Sequence, residues 1–191
     1  SSWIQITGEA INGKMRGKRL KLLYSLHTTW GTWRNLHPDT LVLSHDTGFK
    51  HNYDEYPFGK RYIEYRENWR IMFPLSYEDE RFHPKEVVLA IEVGDTFKAY
   101  RLSNMGRRQV INDVIGENPI LIVYDRESQL ALAFSRIVNG RTLEFELNES
   151  SNSYQKTKPL VNEVNIKDCA SDSQWDFEGM AYQGKYEGRN L

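Results

Sequence analysis

Cysteine is almost absent from the 191 residues: Cys169 stands alone, which excludes an internal disulfide and any zinc cluster built on several thiolates. With no histidine near it in sequence, a lone thiol of this kind is expected to be a buried or half-buried packing residue rather than a nucleophile. Long apolar runs are missing too. None approaches the roughly 20 residues that span a bilayer, and Ser1-Ser2-Trp3-Ile4 shows no basic segment followed by an apolar one. Charge of one sign is also lacking. The 25 basic and 26 acidic residues leave a net charge of -1 with no long single-sign block, so no field draws in nucleic acid.

What is present is enough for a core. At 39% hydrophobic and 13% aromatic, the chain is long enough to bury a substantial interior as one domain or two small packed units. Displaced by 171 positions, it pairs Gly8 with Gly179, Ala10 with Ala181, Gly13 with Gly184, Lys14 with Lys185, Gly17 with Gly188 and Leu20 with Leu191. Six identities in that stretch of 13 compare with about one expected by chance, the mark of an internal repeat. One gap brings Trp3 onto Trp175, so both segments read Trp, a short strand-like stretch, then Gly-x-Ala-x-x-Gly-Lys-x-x-Gly. The period is too long for a solenoid unit, and duplication of a domain-sized half is the simpler origin.

Between these segments the local signals are mostly those of strands. Asn139-Gly140 suits a type I′ turn, and a hairpin built on it would set Phe134 opposite Phe145 and Leu132 opposite Leu147. A second hairpin is predicted from Val87 to Val93, across Gly94-Asp95, and back from Thr96 to Leu102. After Pro119, the continuous run Ile120-Leu121-Ile122-Val123-Tyr124 reads as a strand covered on both faces. Helix is scarce. Thr28 or Thr29 can cap a two-turn helix carrying Trp30, Trp33 and Leu36 to His37, where Pro38 discourages continuation. A second amphipathic stretch runs from Lys60 to Arg70 with Tyr62, Tyr65 and Trp69 on one face. Loops are expected at Ser44 to Tyr56 and Asn148 to Lys158. The fold class is therefore mainly β, a β-rich α+β arrangement of antiparallel sheets or a barrel-like sandwich with one or two short helices. Its expected parts are residues 1–24 as the end of one repeat half, 25–85 as a connecting segment, and 86–191 as a second half, together one compact unit.

Several groups invite a chemical reading. Gly8 to Met15 has the two glycines and lysine of a phosphate loop, but Met15, and Tyr186 in the second segment, stand where a magnesium-binding hydroxyl belongs. Tight turns explain those glycines better. His45, His51 and Asp54, with Asp46 and Glu55 nearby, are a candidate metal site if their loop folds back, although the spacing fits no established ligand pattern. Tyr62, Tyr65 and Trp69 are the candidate ligand-binding residues, within an aromatic run of Tyr53, Tyr56, Phe58 and Phe73 interleaved with Lys60, Arg61, Arg66 and Arg70. Rings beside arginines can stack sugars or bases; the ordinary alternative turns the rings inward over a sheet. The acidic pairs Asp125/Glu127 and Asp176/Glu178 are common strand-surface spacings, and no catalytic residue is assigned.

A collinear set of blocks carries a family resemblance: Trp3-Ile-Gln-Ile-Thr-Gly-Glu-Ala and Gly17-Lys-Arg-Leu, Thr28-Thr-Trp, His37-Pro-Asp-Thr-Leu-Val-Leu-Ser and Thr47-Gly-Phe. It continues through Pro84-Lys-Glu-Val-Val-Leu-Ala-Ile-Glu-Val-Gly, Lys98-Ala-Tyr, Val110-Ile-Asn-Asp, Ala131-Leu-Ala-Phe and Gly140-Arg-Thr-Leu. In these the chain resembles the bacterial and archaeal family of unknown function numbered 3179. The resemblance implies a full-length protein of two related halves, of which this chain supplies the end of the first and all of the second. The family's first half typically carries Cys-Pro-Leu-Cys-Gly after a strand. The matching place here is Asp125-Arg126-Glu127-Ser128-Gln129, with neither cysteine. No residue of this chain inherits a catalytic role, and the cofactor is unknown. The functional expectation is a scaffold or binding domain of a larger duplicated protein, with the missing N-terminal half and a polysaccharide or protein ligand as partners. The alternative is a metal-dependent or redox protein whose cysteine centre lies in that half. The residues do not set the compartment; the resemblance leans toward an extracytoplasmic one.

Overall fold

The computed structural model describes residues 1–5, 7–21, 23, 25–72, 75, 77, 79–148 and 166–191. Phe73 and most of the expected Asn148 to Lys158 loop lie outside the described residues. Among the described residues the fold is mainly β with two short helices, as the sequence predicts, and the sheets are antiparallel without closing into a barrel.

The organising element is a three-stranded sheet of β5 (Arg108–Ile115), β6 (Asn118–Asp125) and β7 (Leu130–Ser135), with β6 in the centre. Successive side chains of a strand point to opposite faces, so the apolar run of β6 feeds two cores. Ile120, Ile122 and Tyr124 join Tyr100, Met105 and Ile115 on one side. There the hairpin of β3 (Val88–Val93) and β4 (Thr96–Arg101) covers the sheet with Leu89, Ile91 and Val93. Leu121 and Val123 face the other way, into a core with Leu130, Leu132, Phe145, Ile166, Trp175 and Phe177. Pro119 sits at the start of β6, opposite Val114, where its missing N–H costs least. The β3–β4 hairpin turns at Gly94-Asp95 as predicted, with Val93 opposite Thr96.

That second core is closed by the sheet β10 (Phe145–Leu147), β11 (Ile166–Asp168), β12 (Gln174–Trp175) and β13 (Ala181–Gln183), in that order. The turn at Asn139-Gly140 forms, both residues having positive φ, but the hairpin is far shorter than the sequence suggests. It consists of β8 (Ile137–Val138) and β9 (Arg141–Thr142) and ends where the Leu143 N–H donates to the Arg136 carbonyl. Phe134 lies opposite Leu121, Leu132 opposite Val123, Phe145 opposite Asp168 and Leu147 opposite Ile166. The cause is the buried Arg136, whose guanidinium donates to the carbonyls of Leu143 at 2.9 Å and Asp113 at 3.1 Å. Beyond it the two strands part into different layers. Asn112 then ties the layers by accepting from the Phe145 N–H at 2.9 Å and donating to its carbonyl at 2.7 Å, as a strand partner would.

Helix α1 (Trp30–Leu36) is capped by Thr29, whose Oγ1 accepts from the Thr32 N–H, satisfying an otherwise orphaned donor. The Thr28 hydroxyl and the Thr29 N–H both donate to the Ser128 carbonyl, so the helix start is moored to the β6–β7 turn. Leu26 and Leu36 pack on the second core, whereas Trp30 is exposed. Helix α2 (Lys60–Glu67) stops before Trp69, because Asn68 is extended and its Oδ1 accepts from the Arg70 N–H. Cys169 is exposed rather than buried, on the turn after β11. Partial desolvation and the carboxylates of Glu146 and Glu144 push its thiol pKa up, which keeps it protonated and poorly nucleophilic near neutral pH.

The two matched end segments carry the same hydrogen bonds. β1 (Trp3–Ile4) pairs with β2 (Glu9–Ala10), Trp3 opposite Ala10, as Trp175 is opposite Ala181. Ala10 N donates to Lys18 O as Ala181 N does to Arg189 O, and Leu20 N to Gly8 O as Leu191 N does to Gly179 O. The bridges Glu9–Arg19 and Met180–Asn190 also correspond. Ser1 Oγ accepts from Met15 N at 3.1 Å, and Ser173 Oγ from Tyr186 N at 3.2 Å. Gly13 and Gly184 have φ of +79° and +98°, and a Cβ on either would stand 2.8 Å from the backbone of its serine. Glycine at these places serves a close turn, not a phosphate.

Asp113 of β5 accepts from two side chains of the outer hairpin, Lys98 Nζ at 2.5 Å and the Tyr100 hydroxyl at 2.6 Å. These bonds hold its carboxyl at about 2 against 3.8 for a free aspartate, while burial and then Asp113 push the Tyr100 hydroxyl up. A depressed folded-state pKa stabilises the fold above the unfolded value and ceases to as the pH falls through the folded one. Melting temperatures of the parent and Asp113→Asn are therefore expected to differ above pH 4 and to converge as the pH falls toward 2. A difference that stays constant over that range would remove Asp113 as the titrating group.

Candidate functional site

Residues 41–87 display large apolar side chains that the sheets do not absorb. Leu41, Leu43, Phe49, Phe58, Trp69 and Tyr77 are all exposed, a density that marks interaction surfaces rather than ordinary scatter. Two groups predicted from sequence fall within this stretch.

In the loop before α2, the rings of His45 and His51 lie 5.5 and 6.0 Å from Tyr53, whose hydroxyl meets Thr47 Oγ1 at 2.6 Å. The Asp54 N–H donates to Asn52 Oδ1 in a local turn. Both imidazoles are thus brought to one tyrosine ring. Among the described residues, no group of three or more His, Cys, Asp or Glu is arranged to hold a metal ion.

The aromatic segment is organised in two parts. Tyr62 packs against Phe58 at 5.2 Å, with Tyr56 and Tyr65 each 6.1 Å away. Tyr65 is half-buried beneath Lys85, whose ammonium lies 3.5 Å from the ring centre and also donates to the Tyr65 carbonyl and Asn68 Oδ1. That lysine pins α2 to the chain leading into β3. Tyr62 and Trp69 are not turned inward over a sheet: Trp69 is 70% exposed, since the helix has ended before it. Its ring sits 4.0 Å from that of His83.

Around this tilted ring pair runs a groove of about 770 Å³ whose apolar lining includes Trp69, Ile71, Leu75, Tyr77 and Phe82. Its size lies in the range of small-ligand sites, roughly 300–1,000 Å³. Tyr77 is 81% exposed. The polar lining is charged: Arg81 Nε donates to both oxygens of Asp79 at 2.8 and 2.9 Å, holding that carboxyl at about 2. Glu86 is held below its ordinary value by the Ser103 hydroxyl and then by Arg101, which it meets at 3.1 Å. Both acids therefore stay anionic at neutral pH. Rings and held carboxylates lining one groove can seat a ligand with apolar faces and hydrogen-bonding edges. Sequence reading found Trp69 but missed Tyr77, Phe82 and His83; the only signal was the aromatic density continuing up to Pro84.

A smaller cavity of about 460 Å³ lies between α1 and the C-terminal segment, lined by Ser25, Trp33, His37 and Glu178. His37 Nε2 is 3.5 Å from Glu178 Oε1, and its ring packs on Trp33 at 4.2 Å. The acidic pairs do not act together. Asp125 is buried and accepts from the N–H and hydroxyl of Ser128, while Glu127 meets Arg107 at the surface. Asp176 closes a turn by accepting from the N–H groups of Glu178 and Met180. Asp125 and Ser128, standing where the resemblance places two cysteines, are both fully buried and joined at 2.5 Å.

No helix of the described residues is long and apolar enough to cross a membrane. Comparison with curated proteins and with solved structures gave no match. The family model described as "Protein of unknown function (DUF3179)" matches residues 1–191, the whole length, and the chain belongs to that family.

Proposed function

We propose that this chain is a binding module whose ligand lies in the groove between Trp69–His83 and Tyr77–Phe82, the ligand being a polysaccharide. The observation that carries this reading is the exposed Trp69 ring, tilted against His83 at 4.0 Å, in a groove that the ionised carboxylates of Asp79 and Glu86 also line. A sugar ring has apolar C–H faces and a rim of hydroxyl groups. The first removes ring surface from water, worth roughly 25 cal/mol per Å², and the second can donate to Asp79 and Glu86. Sheets β3 to β7 provide the rigid support, with residues 25–85 forming the binding segment and 86–191 the scaffold.

Retention on a panel of immobilised polysaccharides tests it. Replacing Trp69 by alanine should weaken binding by about 30-fold or more, the ~2 kcal/mol of a central aromatic anchor, with an unchanged far-UV spectrum. Tyr62→Ala should weaken it less, because Tyr62 packs with Phe58 outside the groove lining. Retention by no polysaccharide, or retention unchanged in both variants, would overturn the reading.

A further inference from the structure

We infer that the outer edge of β1 is an acceptor for a further β-strand bearing an aspartate, contributed by polypeptide upstream of Ser1 in a longer form of this protein. The inference rests on the different surroundings of the two hydrogen-bonded segments and concerns a surface separate from the Trp69 groove. In the C-terminal segment, β12 has β13 on one edge and β11 on the other, with Ile166 opposite Trp175 and Lys167 opposite Gln174. The matching β1 has β2 on one edge and, among the described residues, no strand on the other. Unpaired strand edges carry rows of free donors and acceptors and are templates for strand addition.

Side-chain exposure follows the same difference. Trp175 is fully buried and its Nε1 donates to Asp168 Oδ2 at 3.3 Å, whereas Trp3 is only partly covered. Tyr186 is 6% exposed and its counterpart Met15 46%. Ser173 is buried and Ser1 exposed; Leu191 packs on the core and Leu20 does not. Yet the backbone of both segments is the same, down to the serine hydroxyl that accepts from residue 15 or 186. A motif that keeps its apolar positions without a cover among the described residues is matched to a cover of the kind its counterpart has. The C-terminal cover specifies that partner. Asp168 precedes Ser173 by five residues, accepts from the N–H and hydroxyl of Ser171, and meets the indole. The occupant is therefore an extended apolar-polar-Asp segment, with Asp five residues and a hydroxyl residue two residues ahead of Ser1.

The experiment compares the protein of residues 1–191 with the protein extended upstream as its gene encodes it, by amide hydrogen exchange and without added ligand. In the extended protein the amides of residues 2–4 should exchange at least tenfold more slowly, and replacing the upstream aspartate by alanine should restore most of the faster exchange. A gene encoding no aspartate at that place, or equal exchange in the two proteins, would overturn the inference. Since no ligand is involved, failure of the polysaccharide reading leaves this result unaffected.

Discussion

Replacing Trp175 by alanine is expected to remove about 3–5 kcal/mol of stability, the range for deleting a large buried ring that leaves a cavity. Its ring is fully buried, 5.6 Å from Phe145 in an edge-on arrangement and 6.0 Å from Tyr186, and its Nε1 is one of the donors that satisfy the buried Asp168. Total stability of a natural domain is roughly 5–15 kcal/mol, so the variant should lose a large share of it. The matched substitution Trp3→Ala in the 191-residue chain should cost less than about 1 kcal/mol, since that ring is only partly covered. Urea midpoints at unchanged slope measure both. Equal losses would show that the two tryptophans are buried alike in solution, contrary to the structure.

The second large effect is expected at Asp125, which is fully buried at the end of β6. Its Oδ2 accepts from the Ser128 N–H at 3.0 Å and the Ser128 hydroxyl at 2.5 Å, and Oδ1 lies 3.5 Å from Arg108 Nε. Alanine there strands two buried donors, each costing about 1–3 kcal/mol, and the loss should total about 3 kcal/mol. Asparagine, which keeps an acceptor oxygen, should lose about half as much. A distinguishing readout is available because the Ser128 carbonyl receives both Thr28 and Thr29. Loosening of the turn should speed amide exchange in α1, at Thr32 and Trp33, before it affects β3 and β4. Exchange rising uniformly across the molecule would instead point to global destabilisation without the mooring.

Much of the scaffold was legible because its signals are local. The apolar run of β6 could satisfy itself only with cover on both faces, Gly94-Asp95 closed its hairpin, and Thr29 capped α1 ahead of Pro38. The long hairpin from Leu132 to Leu147 was misread for an equally physical reason. A lone arginine in a strand reads as a surface residue, and nothing near Arg136 shows that its two terminal nitrogens donate to the carbonyls of Leu143 and Asp113. The acid at 125 was hidden similarly: its spacing from Glu127 suggests a strand surface, while the N–H and hydroxyl of Ser128 let it be buried. At the candidate site, Trp69 was found by its aromatic neighbours, but its exposure depends on Asn68 ending the helix. Its pairing with His83 joins residues 14 apart, beyond any helical or strand periodicity.

The two-sided use of β6 constrains how this protein can change in length. Because Ile120, Ile122 and Tyr124 serve one core and Leu121 and Val123 the other, inserting or deleting a single residue there would exchange every assignment at once. Isoleucines would be driven against Trp175 and leucine against Tyr100, and two interiors would have to be redesigned together. Natural variation in length should therefore collect in the loop carrying His45 and His51, while β6 evolves only by substitution.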